Sequence, residues 1–224
     1  MPTAPALQAP ADQLRARLTH GHGRLAVIAA TTSVWLMDSL LSEHLQRDQV
    51  IAPQLRAWVM GFERTSTVLF VVVTLGLIVA LFQGRRRRLF RWGLIYLGFS
   101  VLQVIANVIA MIFTAGHHSG GGLTGLWDVA AVYMETVLVF MFIYVFIDVS
   151  TPGGAFVWPS RNGEVAPEPH LIDYLFISLN VNSTYGPTSE ALISRSAKLV
   201  MALQVLLAIL ILAVLIARAV SSIS

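Results

Sequence analysis

The sequence predicts an all-α membrane protein with about five transmembrane helices, one shorter helix and a re-entrant loop. Of the 224 residues, 56% are hydrophobic and only 12% are charged, whereas about 25% of residues are charged in a soluble domain. The apolar residues fall in runs of about 20, the length that crosses a bilayer core as a helix. The stretch 171–189 is too short and too polar to cross, and it lies between two such runs. That arrangement is typical of a re-entrant loop.

Composition also narrows the function classes. The chain has no cysteine, which excludes disulfides, thiolate nucleophiles and cysteine-based metal sites. The net charge of +3 owes much to five arginines within residues 85–91, so nucleic-acid binding is a poor interpretation of it. No Ser/His/Asp constellation that would indicate nucleophilic catalysis stands out. The adjacent His117 and His118 do not form a metal-ligand motif, because no carboxylate lies beside them. We therefore expect neither an enzyme nor a bound metal or cofactor.

The first half of the chain predicts a tail followed by three transmembrane helices. Residues 1–23 are rich in Ala, Pro and Gln and are predicted to be an N-terminal tail. Residues 24–125 hold three long apolar runs: 25–41, 65–84 and 92–116. Trp92, at the start of the third run, suits an anchor at the membrane interface.

The second half, residues 126–224, predicts two further membrane helices around the re-entrant stretch. The first is predicted over 128–149, since Asp128 and Asp148 bracket an apolar run. Residues 149–170 are rich in Pro and Gly and are predicted to be a loop. The last helix is predicted over 196–219, where Lys198 and Arg218 bracket an uncharged run.

The re-entrant stretch has its own internal pattern. Leu171 to Ser183 has the length of a short helix that could carry the chain into the membrane. Polar residues cluster near its C-terminal end, where the helix dipole favours a cation. A filter for cations is built from backbone carbonyls that replace the hydration shell of the ion.

These residues resemble the two-transmembrane pore module of potassium channels, over about 126–221. The family pattern is roughly D-x-L-Y/F-x-S, four residues, then T-T-V-G-Y-G-D. This chain matches it without a gap at Asp173, Leu175, Phe176, Ser178, Ser183 (conservative for Thr), Thr184 and Gly186. Gln204 falls where the family often has Glu or Gln, and Leu215-Ile-Ala-Arg218 closes the last helix in the family manner.

The filter itself departs from the family, because Thr184-Tyr-Gly-Pro-Thr188 stands where the family has T-V-G-Y-G. Thr188 replaces the second glycine, and a β-branched residue does not readily take a positive φ. Pro187 replaces the tyrosine that braces the filter, and it cannot donate a backbone hydrogen bond. The resemblance thus implies the pore fold more strongly than potassium selectivity.

The resemblance implies an oligomeric cation channel, a homotetramer in the lipid bilayer, passing potassium or other monovalent cations with weak selectivity. The implied pore-helix support comprises Asp173, Ser178, Asn182 and Ser183, and the implied cavity residues are Gln204 and Ala208. The implied filter consists of Thr184, Tyr185, Gly186, Pro187 and Thr188. The family pattern and the short chain indicate a bacterial inner membrane.

Other interpretations of the same residues stay open. Asp173 fits a helix cap as well as a contact behind the filter. Glu135 and Asp38 are ionisable groups in apolar helices, which is expected of a proton-coupled carrier. A non-conducting membrane scaffold with a pore-like fold is a third possibility. The arginines of residues 85–91 are most simply a topology signal, with an anionic-lipid site as the alternative.

Two signals disagree about the orientation of the re-entrant loop. Short loops rich in Lys and Arg stay cytoplasmic, and the arginines of 85–91 then place the entry of the loop on the cytoplasmic side. Potassium channels have the opposite orientation. The stretch 148–190 also has five acidic residues and one base, Arg161, which suits an outer funnel for cations. We slightly favour the orientation that the charge rule predicts, with the loop entering from the cytoplasmic side.

Overall fold

The computed structural model describes residues 27–29, 31–36, 53–83, 86–114, 122–159, 169–183, 185 and 191–221. This part of the chain is mostly helical. It contains four long helices and one short one: α1 (Pro53–Gln83), α2 (Arg86–Thr114), α3 (Gly122–Ser150), the short α4 (Leu171–Asn182) and α5 (Arg195–Ser221). A short apolar helical segment, Val27–Leu36, precedes them.

Three of the helices are long and apolar enough to cross a membrane. Their spans are Arg88–Ile109 in α2, Val129–Ser150 in α3 and Arg195–Ala217 in α5. The described apolar part of α1, Thr67–Gln83, is shorter. About half of the predicted first span, 25–41, lies outside the described residues. The chain is therefore a helical membrane protein with three such spans among its described residues, and the count of five stays a prediction.

The predicted helices of the second half lie close to the observed ones. The helix expected over 128–149 begins earlier, at Gly122, and ends at Ser150. The short helix expected over 171–183 is α4, and Ser183 follows its last helical residue as the C-cap. The last helix, expected over 196–219, spans Arg195–Ser221.

Helix α3 lies at the centre of the fold. It contacts α2, α4 and α5, whereas α1 packs chiefly on α2. In its span 61% of the residues are buried, against 33% for the span of α2 and 28% for that of α5. The helix also contributes the largest part of the apolar core, for example Phe140 and Val139. An element that contacts three others can set the position of the short helix α4.

Two glycines allow close packing between neighbouring helices. A Cβ added to Gly76 of α1 would come within 2.4 Å of the Trp92 ring of α2. A Cβ on Gly93 of α2 would come within 2.8 Å of the Phe146 ring of α3. Small residues at helix contacts in membranes let a large neighbour approach the backbone. The Trp92 ring thus packs against α1, and the sequence had indicated only an interfacial anchor.

A two-stranded antiparallel sheet interrupts the predicted loop 149–170. Strand β1 (Phe156–Val157) pairs with strand β2 (Ala191–Leu192). The N–H of Ile193 also donates to the carbonyl of Ala155 at 3.1 Å. Two-residue strands are too short to show an alternating pattern, which is why the sequence predicted only a loop. The sheet ties the segment after α3 to the segment that enters α5.

Candidate functional site

Helix α4 begins with a cap made by Asp173. The carboxylate of Asp173 accepts a hydrogen bond from the backbone N–H of His170 at 2.6 Å. In return, the N–H of Asp173 donates to the carbonyl of His170 at 3.0 Å. An acidic residue in the first turn also interacts favourably with the helix dipole. The structure therefore shows Asp173 as a cap, the simpler of the two roles considered from the sequence.

A buried carboxylate at the end of α3 fixes the first turns of α4. One oxygen of Asp148 accepts hydrogen bonds from the backbone N–H groups of Ala155 and Phe156. The other oxygen accepts from the phenol of Tyr174. Both Asp148 and Tyr174 are fully buried. Such charge-assisted hydrogen bonds are stronger than neutral ones, so one side chain links α3, β1 and α4.

The same buried environment keeps the Tyr174 phenol protonated. Burial raises the pKa of Tyr174 far above its usual value, and the negative charge of Asp148 and the hydrogen bond to it raise that pKa further. A protonated phenol is the form that can donate to a carboxylate. The donor role of Tyr174 is therefore stable over the physiological pH range.

Aromatic rings surround this carboxylate. The ring of Tyr174 packs edge-on against Trp158, with centroids 5.2 Å apart, and against Phe156 at 5.9 Å. Phe156 packs edge-on against Tyr144 at 5.8 Å. Edge-to-face pairs at these separations are favourable beyond the area that they bury. The aromatic cluster of Tyr144, Phe156, Trp158 and Tyr174 thus encloses the start of α4 and shields Asp148 from solvent.

A second set of hydrogen bonds holds the middle of α4. The phenol of Tyr144 donates to Oε1 of Gln204 at 2.6 Å. The Gln204 amide nitrogen then donates to the Ser178 carbonyl at 3.0 Å and to its hydroxyl oxygen at 2.9 Å. The Ser178 hydroxyl in turn donates to the carbonyl of Val137 at 2.8 Å. This chain of bonds, the Gln204 network, joins α3, α4 and α5.

The Gln204 network bears on two predicted roles. Ser178 joins α4 to α3 through its bond to Val137, and its predicted role as support for a pore helix stays a prediction. Gln204, predicted to line a cavity, is fully buried and faces α3 and α4 within the chain; Ala208, one turn further along α5, is buried as well. We therefore assign the Gln204 amide to the positioning of α4, and a cavity role for Ala208 stays a prediction.

The C-terminal end of α4 is polar, as predicted, but much of the predicted filter lies outside the described residues. The Ser183 hydroxyl donates to the carbonyl of Leu179 at 2.6 Å. Tyr185 has an exposed side chain, and its N–H donates to the carbonyl of Asn180 at 3.0 Å. The filter residues Thr184, Gly186, Pro187 and Thr188 are not among the described residues, so the filter conformation stays a prediction.

Asn182 is a buried polar side chain at the C-terminal end of α4. Only 4% of it is exposed, yet neither polar atom of its amide has a hydrogen-bond partner among the described residues. A buried amide without a partner is costly. Asn182 lies in the last turn of α4, and its predicted role in supporting the pore helix stays a prediction.

A further buried carboxylate lies in the span of α3. Glu135 is fully buried, and its Oε2 accepts a hydrogen bond from the amide of Asn107 of α2 at 2.9 Å. Asp38, the other ionisable group predicted for a carrier, lies outside the described residues. The structure therefore places Glu135 in the interior between α2 and α3.

Sequence reasoning missed several members of these networks. Tyr144 was an unremarked residue of an apolar run, and the sequence predicted no polar partner for Tyr174. Asp148 marked the end of a helix in the sequence, and a carboxylate at that place was a usable signal. The pairing of Asp148 with Tyr174 spans 26 residues, so no local pattern could reveal it.

The fold and the site together define a helical membrane protein in which a short helix is held between two membrane-spanning helices. No family model, curated protein or solved structure matches the chain. The potassium-channel resemblance of residues 126–221 therefore stands on the sequence pattern alone, and the function argued from it is a proposal.

Proposed function

We propose that the protein is an oligomeric channel for monovalent cations, potassium or a less selective set, in a bacterial inner membrane. One observation carries the proposal: the short helix α4 is held between α3 and α5 by buried hydrogen bonds. Its 12 residues extend only about 18 Å, whereas a bilayer core is about 30 Å thick. A chain that enters with α4 must therefore turn back within the membrane or at its surface.

The electrostatic potential at the C-terminal end of α4 supports a cation as the permeant species. The end of a helix carries a partial negative charge. Non-helical backbone at membrane depth is tolerated only inside protein or beside a water-filled cavity. The segment Thr184–Thr188 would supply backbone carbonyls there, which is how filters replace the hydration shell of a cation.

The channel requires several copies of the chain, because one re-entrant loop cannot enclose a symmetric pore. In one chain, α4 leaves an apolar face open, with Ile172 66% exposed and Phe176 51% exposed. The exposed Tyr185 lies just beyond the same helix. A homotetramer, as in the resembling family, would cover these residues with neighbouring copies in the lipid bilayer.

Planar-bilayer recording of the purified protein under a potassium gradient tests the proposal. We expect unitary currents that vanish in the Gly186→Pro variant, because proline cannot take the backbone conformation expected of the filter glycine. The Val68→Ala variant is the control and should keep the currents, since Val68 is 64% exposed on α1 and lies outside the pore-like residues 126–221.

Two results would contradict the channel. The first is a clearly monomeric particle in native lipid, since one chain has no enclosed pore. The second is an absence of currents from a wild-type protein that is oligomeric and correctly folded, which would leave the non-conducting scaffold or the carrier. The particle size of the Gly186→Pro variant must match that of the wild type. A loss of current can then be attributed to the filter, because the oligomer is still assembled.

A second candidate, a proton-coupled carrier, is favoured by the burial of Glu135. A carboxylate within an apolar span is expensive in lipid and usually marks a functional site. In that case the protein would give no unitary current. It would instead show a proton-dependent flux that is lost in Glu135→Gln and kept in the Val68→Ala control.

A further inference from the structure

The arginines at the junction of α1 and α2 have no acidic neighbour in the sequence. Four of them are consecutive, Arg85 to Arg88, and Arg91 follows; no Asp or Glu occurs between Glu63 and Asp128. The side chains of Arg88 and Arg91 are exposed. Arg88 donates to the side-chain oxygen of Gln83 at 2.7 Å, and within the described residues neither guanidinium pairs with a carboxylate. These positive charges are available to an external anion.

The two arginines head an exposed apolar stripe. Arg88, Arg91, Ile95, Gly98 and Leu102 follow one another at spacings of three and four residues, so they lie along one face of α2. All five are exposed. A Cβ at Gly98 would meet no atom within 4 Å, so the stripe has a shallow notch. We name these five residues the Arg88 face.

Packing on the other side of α2 fixes the direction of the Arg88 face. Trp92 lies against Gly76 of α1, and Gly93 lies against Phe146 of α3. These contacts occupy the inward side of the same turn that carries Arg91. The guanidinium groups therefore project from the outer surface of the bundle, at the start of the span Arg88–Ile109.

We infer that the Arg88 face binds an anionic phospholipid. The guanidinium groups of Arg88 and Arg91 would bind the headgroup phosphate, because the planar fork of arginine suits bidentate contacts to phosphate. One acyl chain would lie along Ile95, the notch at Gly98, and Leu102. A net negative headgroup is preferred over a zwitterionic one, since basic side chains at a membrane surface are attracted to anionic lipids. The inference is independent of whether the protein conducts ions.

Native mass spectrometry of the detergent-solubilised protein tests the inference by titration with phosphatidylglycerol and with phosphatidylcholine. We expect wild-type protein to bind phosphatidylglycerol more tightly, and the double variant R88Q/R91Q to lose about 10-fold or more in affinity for it. The matched control is R195Q/K198Q, which removes two exposed basic side chains at the start of α5 and should keep the wild-type affinity. Gly98→Leu should weaken binding several-fold by filling the notch.

Three outcomes would overturn the inference. They are equal binding of the two lipids by the wild type, an equal loss in R195Q/K198Q, and displacement of the lipid by millimolar inorganic phosphate. The last result would mean that the arginines bind free phosphate, without a contribution from the acyl chain. An unchanged affinity in Gly98→Leu would remove the acyl-chain part of the assignment. Because all the substituted residues are exposed, the variants should elute like the wild type in size-exclusion chromatography.

Discussion

At the residue scale, the carboxylate of Asp148 connects the end of α3 to both β1 and α4. The phenol of Tyr174 supplies one of its three donors. A hydrogen bond to a charged group contributes about 1.5–3 kcal/mol. We therefore expect Tyr174→Phe to lower the free energy of unfolding by about 2 kcal/mol, measured by reversible unfolding in mixed detergent micelles.

A matched substitution separates this effect from the general loss of a phenol. Tyr185 is 83% exposed, so Tyr185→Phe should leave the free energy of unfolding within about 0.5 kcal/mol of the wild type. If Tyr174→Phe were as stable as Tyr185→Phe, the hydrogen bond to Asp148 would contribute nothing to the position of α4.

The Gln204 network allows a second prediction, about coupling between residues. Ser178→Ala removes a hydroxyl that both accepts from Gln204 and donates to Val137. Gln204→Leu removes the amide that joins Ser178 to Tyr144. Hydrogen bonds between helices in membranes contribute about 0.6–1.7 kcal/mol, and residues of one network are not additive. A double-mutant cycle of unfolding free energies should therefore give a coupling of about 1 kcal/mol.

Strictly additive losses would contradict the network. The pair Ser178→Ala and Ser183→Ala is the control, because among the described residues the Ser183 hydroxyl bonds to α4 alone, at the carbonyls of Leu179 and Asn180. Its coupling energy should be close to zero.

The two networks show how far the sequence leads at this scale. The family resemblance pointed to Ser178 and Gln204 separately. It did not predict the hydrogen bond between them. Their contact joins residues 26 positions apart, and its geometry depends on how α4 and α5 pack on α3. Helix packing of that kind leaves no repeating signal along the chain, so Tyr144 could not be recognised as the third member.

At the element scale, the contact of α1 with α2 depends on a glycine. The Trp92 ring occupies the space that a side chain at Gly76 would need, since a Cβ there would lie 2.4 Å from it. Overpacking of a close contact costs about 1–3 kcal/mol. We expect Gly76→Ala to lower the unfolding free energy by about that amount in mixed micelles.

The same substitution at a glycine with open surroundings provides the control. Gly98→Ala should be neutral or stabilising by up to about 1 kcal/mol, because alanine favours helix over glycine. Replacing Trp92 by Leu in the Gly76→Ala background should recover part of the loss. If Gly76→Ala and Gly98→Ala had equal stability, the close approach of Trp92 to α1 would be wrong.

Helices and strands differ in how well the sequence predicted them. The ends of α4 were predicted well, because the Pro- and Gly-rich stretch before Leu171 and the polar residues after Leu179 mark them. The pairing of β1 with β2 was missed, because each strand has two residues and its partner is distant in sequence. The position of such a short strand depends on tertiary contacts, here the hydrogen bonds of Asp148 to the backbone of Ala155 and Phe156. The β-strand propensity of its two residues is too weak a signal to predict it.

At the scale of the whole molecule, the arginine cluster and the entry of α4 lie at the same end of the helical bundle. Phe90, next to Arg91, stacks on Phe146 near the end of α3, with ring centroids 5.2 Å apart. Asp148, two residues further, bonds to β1 and to Tyr174 in the first turn of α4. The orientation of the cluster in the membrane therefore sets the side from which α4 enters.

The absence of native cysteine makes that side measurable with single cysteines. If the arginines stay cytoplasmic, a cysteine in place of the exposed Pro159 beyond β1 should react with a membrane-impermeant maleimide only in inside-out vesicles. A cysteine in place of Ser119, in the sequence between α2 and α3, should react only in right-side-out vesicles. The reversed pattern would place the arginines outside, in the orientation of potassium channels. In that case the segment 148–190 would lie on the outer side of the membrane, and its net negative charge would outweigh the arginines in setting the topology.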